Sequence, residues 1–122
     1  MNAELARVEI DRRGDAIIAT IHGEVDIGNV QHVERLIAEA IDHGEPRHII
    51  DLTPTTFLDS AAIKLLFTLA AMFKTRRQQL HIVVPEGAPV ARVLMLTAVH
   101  EVIPMFADLE GALTAPVDDL AL

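Results

Sequence analysis

The two side chains best placed for chemistry in this chain stand next to each other, Asp59 and Ser60, where an apolar run with helical spacing begins. Ser60 is the only serine. At a helix start, a hydroxyl or carboxylate oxygen accepts hydrogen bonds from backbone N–H groups that the first turn leaves without partners. Ser60 therefore has two readings. It is a helix cap, or it is an exposed hydroxyl that a kinase or partner protein could reach, beside the positive end of the helix dipole. Covalent catalysis is not indicated: no glycines flank Ser60 as in a nucleophile elbow, and no Asp and His follow in an order that would serve it. The six histidines (His22, His32, His43, His48, His81, His100) include no helix-spaced pair with an intervening Glu, so no metal site is expected. Neither the dinucleotide-binding glycine pattern nor the P-loop pattern occurs, so no cofactor is expected either. The chain is not expected to be an enzyme.

Composition narrows the partners. The chain has 122 residues and a formal net charge of -8, which argues against nucleic acid or an anionic membrane, both bound through Lys and Arg facing phosphates. A basic protein surface suits it better. There is no cysteine, hence no disulfide framework, and a reducing cytoplasm is the expected location. The longest apolar stretch, near Ala61 to Phe73, carries Lys64 and falls short of the about 20 residues that cross a bilayer. Residues Met1 to Arg13 lack the apolar core of a signal peptide, so export is not expected. Apolar residues make up 51% and aromatics only 3%, so the core must be built from Val, Ile, Leu and Ala.

The elements that must position Asp59 and Ser60 alternate between strand and helix. Ala6–Asp11 and Ala16–His22 predict a hairpin around Arg13-Gly14-Asp15. Val30, Val33, Leu36, Ile37, Ala40 and Ile41 recur every three or four residues and predict a helix ended by Gly44 and Pro46. His48–Leu52, with consecutive Ile49 and Ile50, reads as a strand covered on both faces. A loop, Thr53–Leu58, should lead to a helix from Ser60 to about Arg77. There Ile63, Leu66, Phe67, Ala70 and Phe73 are expected on one face, and Leu65, Leu69 and Met72 extend it beyond the usual stripe of about 100°. Flanking helices or a partner must cover that extra width. Leu80–Val84 predicts a second interior strand, parallel to the first, and Val90, Val93, Leu94 and Thr97 a short helix with Pro89 near its first turn. Val102–Phe106 predicts a last strand that Pro104 confines to a sheet edge. Asp108 should cap a final short helix, and the tail from Thr114 to Leu122 is expected to be loose, giving one domain over residues 1–113.

Three segments carry a family resemblance: Gly23-Glu24-Val25-Asp26, Ile50-Asp51-Leu52 and Phe57-Leu58-Asp59-Ser60-Ala61-Ala62-Ile63. Together they resemble the STAS domain in its bacterial anti-sigma factor antagonist branch. The resemblance implies an α/β fold with a mixed sheet of about four to five strands and about four helices packed largely on one face. It also implies a partner that is both anti-sigma factor and serine protein kinase, bound by the unphosphorylated form and released by phosphorylation, with a serine phosphatase resetting the system. Carried over by position, Ser60 is the phosphoacceptor, and Asp26, Asp51 and Asp59 are its acidic neighbours. Asp26, Asp59, Ser60, Ala61 and Lys64 are the implied partner surface. Many family members continue the Asp-Ser pair with a small polar residue and Gly; here Ala61 and Ala62 follow, presenting two methyl groups. A constitutive interaction module, with Ser60 only a cap, and an anion or nucleotide binder at the helix start are the competing readings.

Overall fold

Ala16–Val25 is buried over its first four residues, and this long strand is the one from which the sheet grows in both directions. The computed structural model describes residues 6–41 and 44–116, and the expected loose tail lies, from residue 117 on, outside the described residues. Chain order is β1 (Ala6–Arg13), β2 (Ala16–Val25), α1 (Val30–Ala40), β3 (Arg47–Asp51), β4 (Thr55–Leu58), α2 (Ser60–Thr75), β5 (Gln79–Val83), α3 (Ala91–Leu96), β6 (Met105–Phe106) and α4 (Leu109–Thr114). The sheet runs β1-β2-β3-β5-β6, with β4 on β2. The β1–β2 hairpin is antiparallel and turns at Gly14, whose φ of +58° is easy only for glycine. All other pairings are parallel.

The predicted centre is borne out. β3 and β5 pair in parallel, Ile50 opposite Ile82, and β6 closes one edge. Pro104 immediately precedes β6 rather than lying inside it, because only Met105 and Phe106 pair with β5.

The sheet has six strands, not four to five. The extra one is β4, within the expected loop Thr53–Leu58. The chain runs along β2 twice: β3 pairs with Ala16–Thr20 and β4 with Gly23–Val25. Between them the turn Leu52–Pro54 is fixed to β2, since Gly23 N–H donates to Pro54 O (3.2 Å) and the buried Thr55 hydroxyl donates to Ile21 O (2.7 Å). Gly23-Glu24-Val25 consequently lies inside β2 and not after it.

Strand alternation sorts the side chains into two layers. Ala19, Ile21, Ile50, Leu80 and Ile82 face the main core with Val33 and Ile37 of α1, Leu66, Leu69 and Phe73 of α2, and Leu94 of α3. Ala16, Ile18, Ile49 and Val83 face the other way, under Ala112 of α4. Three helices thus cover one face and one short helix part of the other. Ile49 and Ile50 are 1% and 2% exposed because each has a layer of its own. Arg47, also buried, fastens α4 down: its Nη1 donates to Ala112 O (2.8 Å) and its Nε lies 3.4 Å from Asp15 Oδ1.

α2 is rotated from its expected orientation. Its buried residues are Ala62, Ile63, Leu65, Leu66, Leu69 and Phe73, so the inward face centres on Leu66 and Leu69. Phe67 lies well outside that arc and is 37% exposed.

His48 sits on the main-core face against Phe73, ring centroids 4.5 Å apart, and among the described residues neither ring nitrogen makes a well-formed hydrogen bond. Burial pushes the imidazole down to about 4; Arg76 adds to this, while Glu45 and the nearby Gln79 backbone oppose it. The sign is that of a base kept neutral. Above pH about 6.5 folding involves no proton difference, and between about 6.5 and 4 the unfolded chain binds a proton that the folded one refuses. Stability should therefore fall across that window, by on the order of 1–3 kcal/mol. In denaturant unfolding, His48→Leu should be less sensitive than wild type to a change from pH 7.5 to pH 5; equal sensitivity would rule His48 out as the source.

Candidate functional site

α2 begins at Ser60 because Asp59, not Ser60, is its cap. Asp59 is extended (φ -95°, ψ -173°), and its Oδ1 accepts a hydrogen bond from Ala62 N–H (3.0 Å) while its main-chain oxygen accepts one from Ile63 N–H (3.0 Å). Ser60 occupies the first helical position, exposed, and its hydroxyl has no hydrogen-bond partner among the described residues. The expectation of Ser60 as cap is corrected. Both types cap well, and here the carboxylate has a second task that a hydroxyl could not perform at the same time.

That task is to hold the neighbouring loop. Asp59 Oδ2 accepts from Ile27 N–H (2.9 Å), and Asp59 N–H donates to Val25 O (3.2 Å). The loop Asp26–Asn29 is shaped from within by two side chains. Asp26 Oδ1 accepts from Gly28 N–H (2.9 Å), and the buried Asn29 donates through Nδ2 to Glu24 O (2.8 Å) and accepts from Asp26 N–H (3.0 Å). The result is a rigid junction at the carboxyl ends of β2 and β4, where the starts of α1 and α2 meet. Ligand sites in open parallel sheets favour this end.

The expected site residues divide. Asp59, Ser60 and Ala61 form the first turn of α2, Lys64 is exposed one turn on, and Asp26 reaches the same junction through the Ile27–Asp59 bond. Asp51 is not brought to it. Its Oδ1 is taken by Thr53 N–H (2.9 Å) and the Thr53 hydroxyl (2.5 Å), and strand alternation places it in the layer of Ile49, on the α4 face, opposite to α2. Two residues at the junction were not expected there: Ile27, 80% exposed, and Phe57, 48% exposed. Exposed apolar side chains of this size beside a rigid polar turn mark a surface suited to protein contact. The signal available in the sequence was Ile27 within the polar stretch Asp26–Asn29, where no core-facing period extends.

The residues from β1 to α4 match one family model. Residues 7–112 match the STAS domain. The chain belongs to the STAS domain family. A relative in Bordetella bronchiseptica, BtrV, which carries an anti-sigma factor antagonist name, is 26% identical over 110 residues, covering 89% of this chain and 93% of its own. Among solved structures, the chain is similar to an anti-sigma factor antagonist from Mycobacterium paratuberculosis (TM-score 0.80, 24% identity, 93% of this chain and 95% of that one). It is also similar to the anti-sigma factor antagonist SpoIIAA in its unphosphorylated form (TM-score 0.70, 16% identity, 88% and 93% coverage). SpoIIAA, called a Bacillus cell fate determinant, matches in its phosphorylated form too (TM-score 0.62, 16% identity, 88% and 96% coverage). At these identities the solved structures speak for the STAS fold.

In this STAS domain, capping and exposure belong to different residues, and substitutions should separate them. Asp59→Ala should cost about 0.5–2 kcal/mol for the lost cap alone, with the Ile27 tether lost in addition. Ser60→Ala should leave the melting temperature nearly unchanged. A stability loss for Ser60→Ala as large as for Asp59→Ala would return the cap to Ser60.

Proposed function

We propose that this STAS domain is an anti-sigma factor antagonist that binds its anti-sigma factor through the Asp59–Ser60 turn and is released when that partner, acting as a serine kinase, phosphorylates Ser60. The observation that carries the reading is the position of Ser60: exposed, its hydroxyl without a hydrogen-bond partner among the described residues, and at the first position of a helix whose cap is supplied by another residue. The names of the relatives support the partner class.

The chemistry of the switch is local. Among the described residues the N–H groups of Ser60 and Ala61 have no acceptor, since Asp59 takes only those of Ala62 and Ile63. A phosphate on Ser60 carries a charge of about -1.5 to -2 at pH 7. Those free N–H groups, the helix dipole and Lys64 would offset part of it within the domain. Asp59 and Asp26 oppose it, and both are fixed by the hydrogen bonds that hold the junction. A partner packed on Ile27, Phe57 and Ala61 would have to desolvate the phosphate. The domain keeps its fold and loses its partner. A serine phosphatase would restore binding, and sigma factor control would follow without contact between this chain and nucleic acid.

The test uses the candidate anti-sigma factor kinase from the same genome with labelled ATP. A single phosphate should appear on the wild type and none on Ser60→Ala, which should still bind. Ser60→Asp should weaken binding roughly 10- to 100-fold through like-charge repulsion and desolvation, and Ile27→Asp should weaken it comparably with little change in melting temperature. Threonine labelling in Ser60→Ala, with Thr55, Thr56 and Thr68 the first suspects, would move the phosphosite. Binding indifferent to all three substitutions would identify a constitutive interaction module instead.

A further inference from the structure

Between the outward side of α2 and the segment leading into β6 lies a groove of about 490 Å³. Phe67 and Ala71 form one wall, Val102 and Pro104 the other, and the first half of β5 the floor. The groove exists because the sheet stops short there. Odd residues of β5 bond to β3: Gln79 N–H donates to Pro46 O (2.9 Å), and Val83 O accepts from Leu52 N–H (2.8 Å). Even residues bond to β6: Ile82 N–H donates to Pro104 O (3.0 Å) and Val84 N–H to Phe106 O (2.8 Å). Leu80 is next in that even series, so its N–H and C=O point toward the groove. Extending the ladder would require residue 104 to donate to Leu80 O, and proline has no N–H. The chain before it turns away instead, with Ile103 N–H donating to Val99 O (3.0 Å) and the Ile103 side chain 1% exposed in the core. Gln79 also lines the groove, 7% exposed, and among the described residues its Oε1 has no hydrogen-bond partner.

We propose that this groove takes an extended peptide segment of a partner protein, which pairs its backbone with Leu80 and sets an apolar side chain between Phe67 and Val102. An open strand residue supplies the main-chain donor and acceptor that such pairing needs, and the adjoining pocket supplies side-chain selectivity. The volume lies in the range of about 300–1,000 Å³ typical of built pockets. Charge sets the rest of the segment's chemistry. In a chain of net charge -8, Glu101 lines the groove beside Val102, but on the opposite side Lys74 also lines it and is followed by exposed Arg76 and Arg77, so acidic residues are favoured at the α2 end of the bound segment. Phe67 lies about two turns along α2 from Ser60. The groove is a second surface, independent of the phosphoserine reading.

The probes are two end-capped hexapeptides, Asp-Asp-Leu-Val-Leu-Thr and its reverse, which cover both strand directions, and the analogues with Lys for Asp. Binding is read by calorimetry and by the amide signals of the full chain in nuclear magnetic resonance. At least one acidic peptide should bind, shift the Leu80 amide and slow its hydrogen exchange. The Lys analogue and the variant Val102→Arg should each weaken binding about tenfold or more. Val102 is 52% exposed, so an unchanged melting temperature should show that Val102→Arg still folds. The proposal fails if neither acidic peptide binds, or if binding leaves the Leu80 amide unmoved or ignores Val102→Arg. It also fails if binding appears only after residues 117–122 are removed, which would assign the groove to the chain's own C-terminal segment. Self-association of the wild type that Val102→Arg abolishes would assign it to a second copy.

Discussion

One carboxylate holds two helix starts in a single frame. Asp59 gives one oxygen to the first turn of α2 and the other to Ile27, and its own N–H goes to β2. The two carboxylate bonds are ordinary charge-assisted ones. Their value lies in sharing an anchor, because the β2–α1 loop cannot shift without moving the cap of α2. The broken strand β3–β4 supports the arrangement from below. By running twice along β2 and turning at Leu52–Pro54, it delivers Asp59 to the end of β4, against the carboxyl end of β2.

This division of labour explains how a reactive-looking serine can be displayed at little energetic cost. Had Ser60 been the cap, modification of its hydroxyl would have removed a bond on which the helix depends. With Asp59 in that role, the cap of α2 does not rest on the Ser60 hydroxyl, which stays exposed at the first helical position. Ile27 and Phe57 are the complement: apolar surface left uncovered within a frame too rigid to fold it away.

Much of this was legible in the residues. Consecutive isoleucines announced strands covered on both faces, and the three-four spacing from Val30 and from Ile63 announced the helices that cover them. The resemblance of the Asp-Ser helix start to the STAS pattern singled out the turn that joins β4 to α2. β4 was hidden because it has only four residues, follows a Thr-Pro pair and does not alternate: Thr55 and Leu58 are buried while Thr56 and Phe57 are exposed. The choice between Asp59 and Ser60 as cap could not be made locally, since it was decided by Ile27, a residue far away in sequence. Phe67 reads as inward from the sequence because an apolar run with few polar markers leaves the centre of its buried arc undetermined. Asp51 could have been placed better: it alternates in phase with Ile49, and that parity already put it in the other layer.

The two edges of the sheet differ in how they meet other copies of the chain. β6 has two residues, too few to template a neighbouring strand. β1 has eight, with an outward row of backbone donors and acceptors in which Asp11 Oδ1 already accepts the Arg12 N–H (2.9 Å), the geometry through which sheets otherwise fuse into aggregates. Its side chains stand against that outcome. Arg7, Glu9, Asp11, Arg12 and Arg13 surround the single exposed Ile10, and they are held in place by pairs such as Arg7 with Glu9 (2.7 Å) and Arg13 with Asp11 (3.3 Å). A second chain approaching in register would have to bring like charges together and strip their water along the whole strand. Colloidal stability at high concentration, in a domain whose β1 edge is paired with no further strand among the described residues, draws on those five residues.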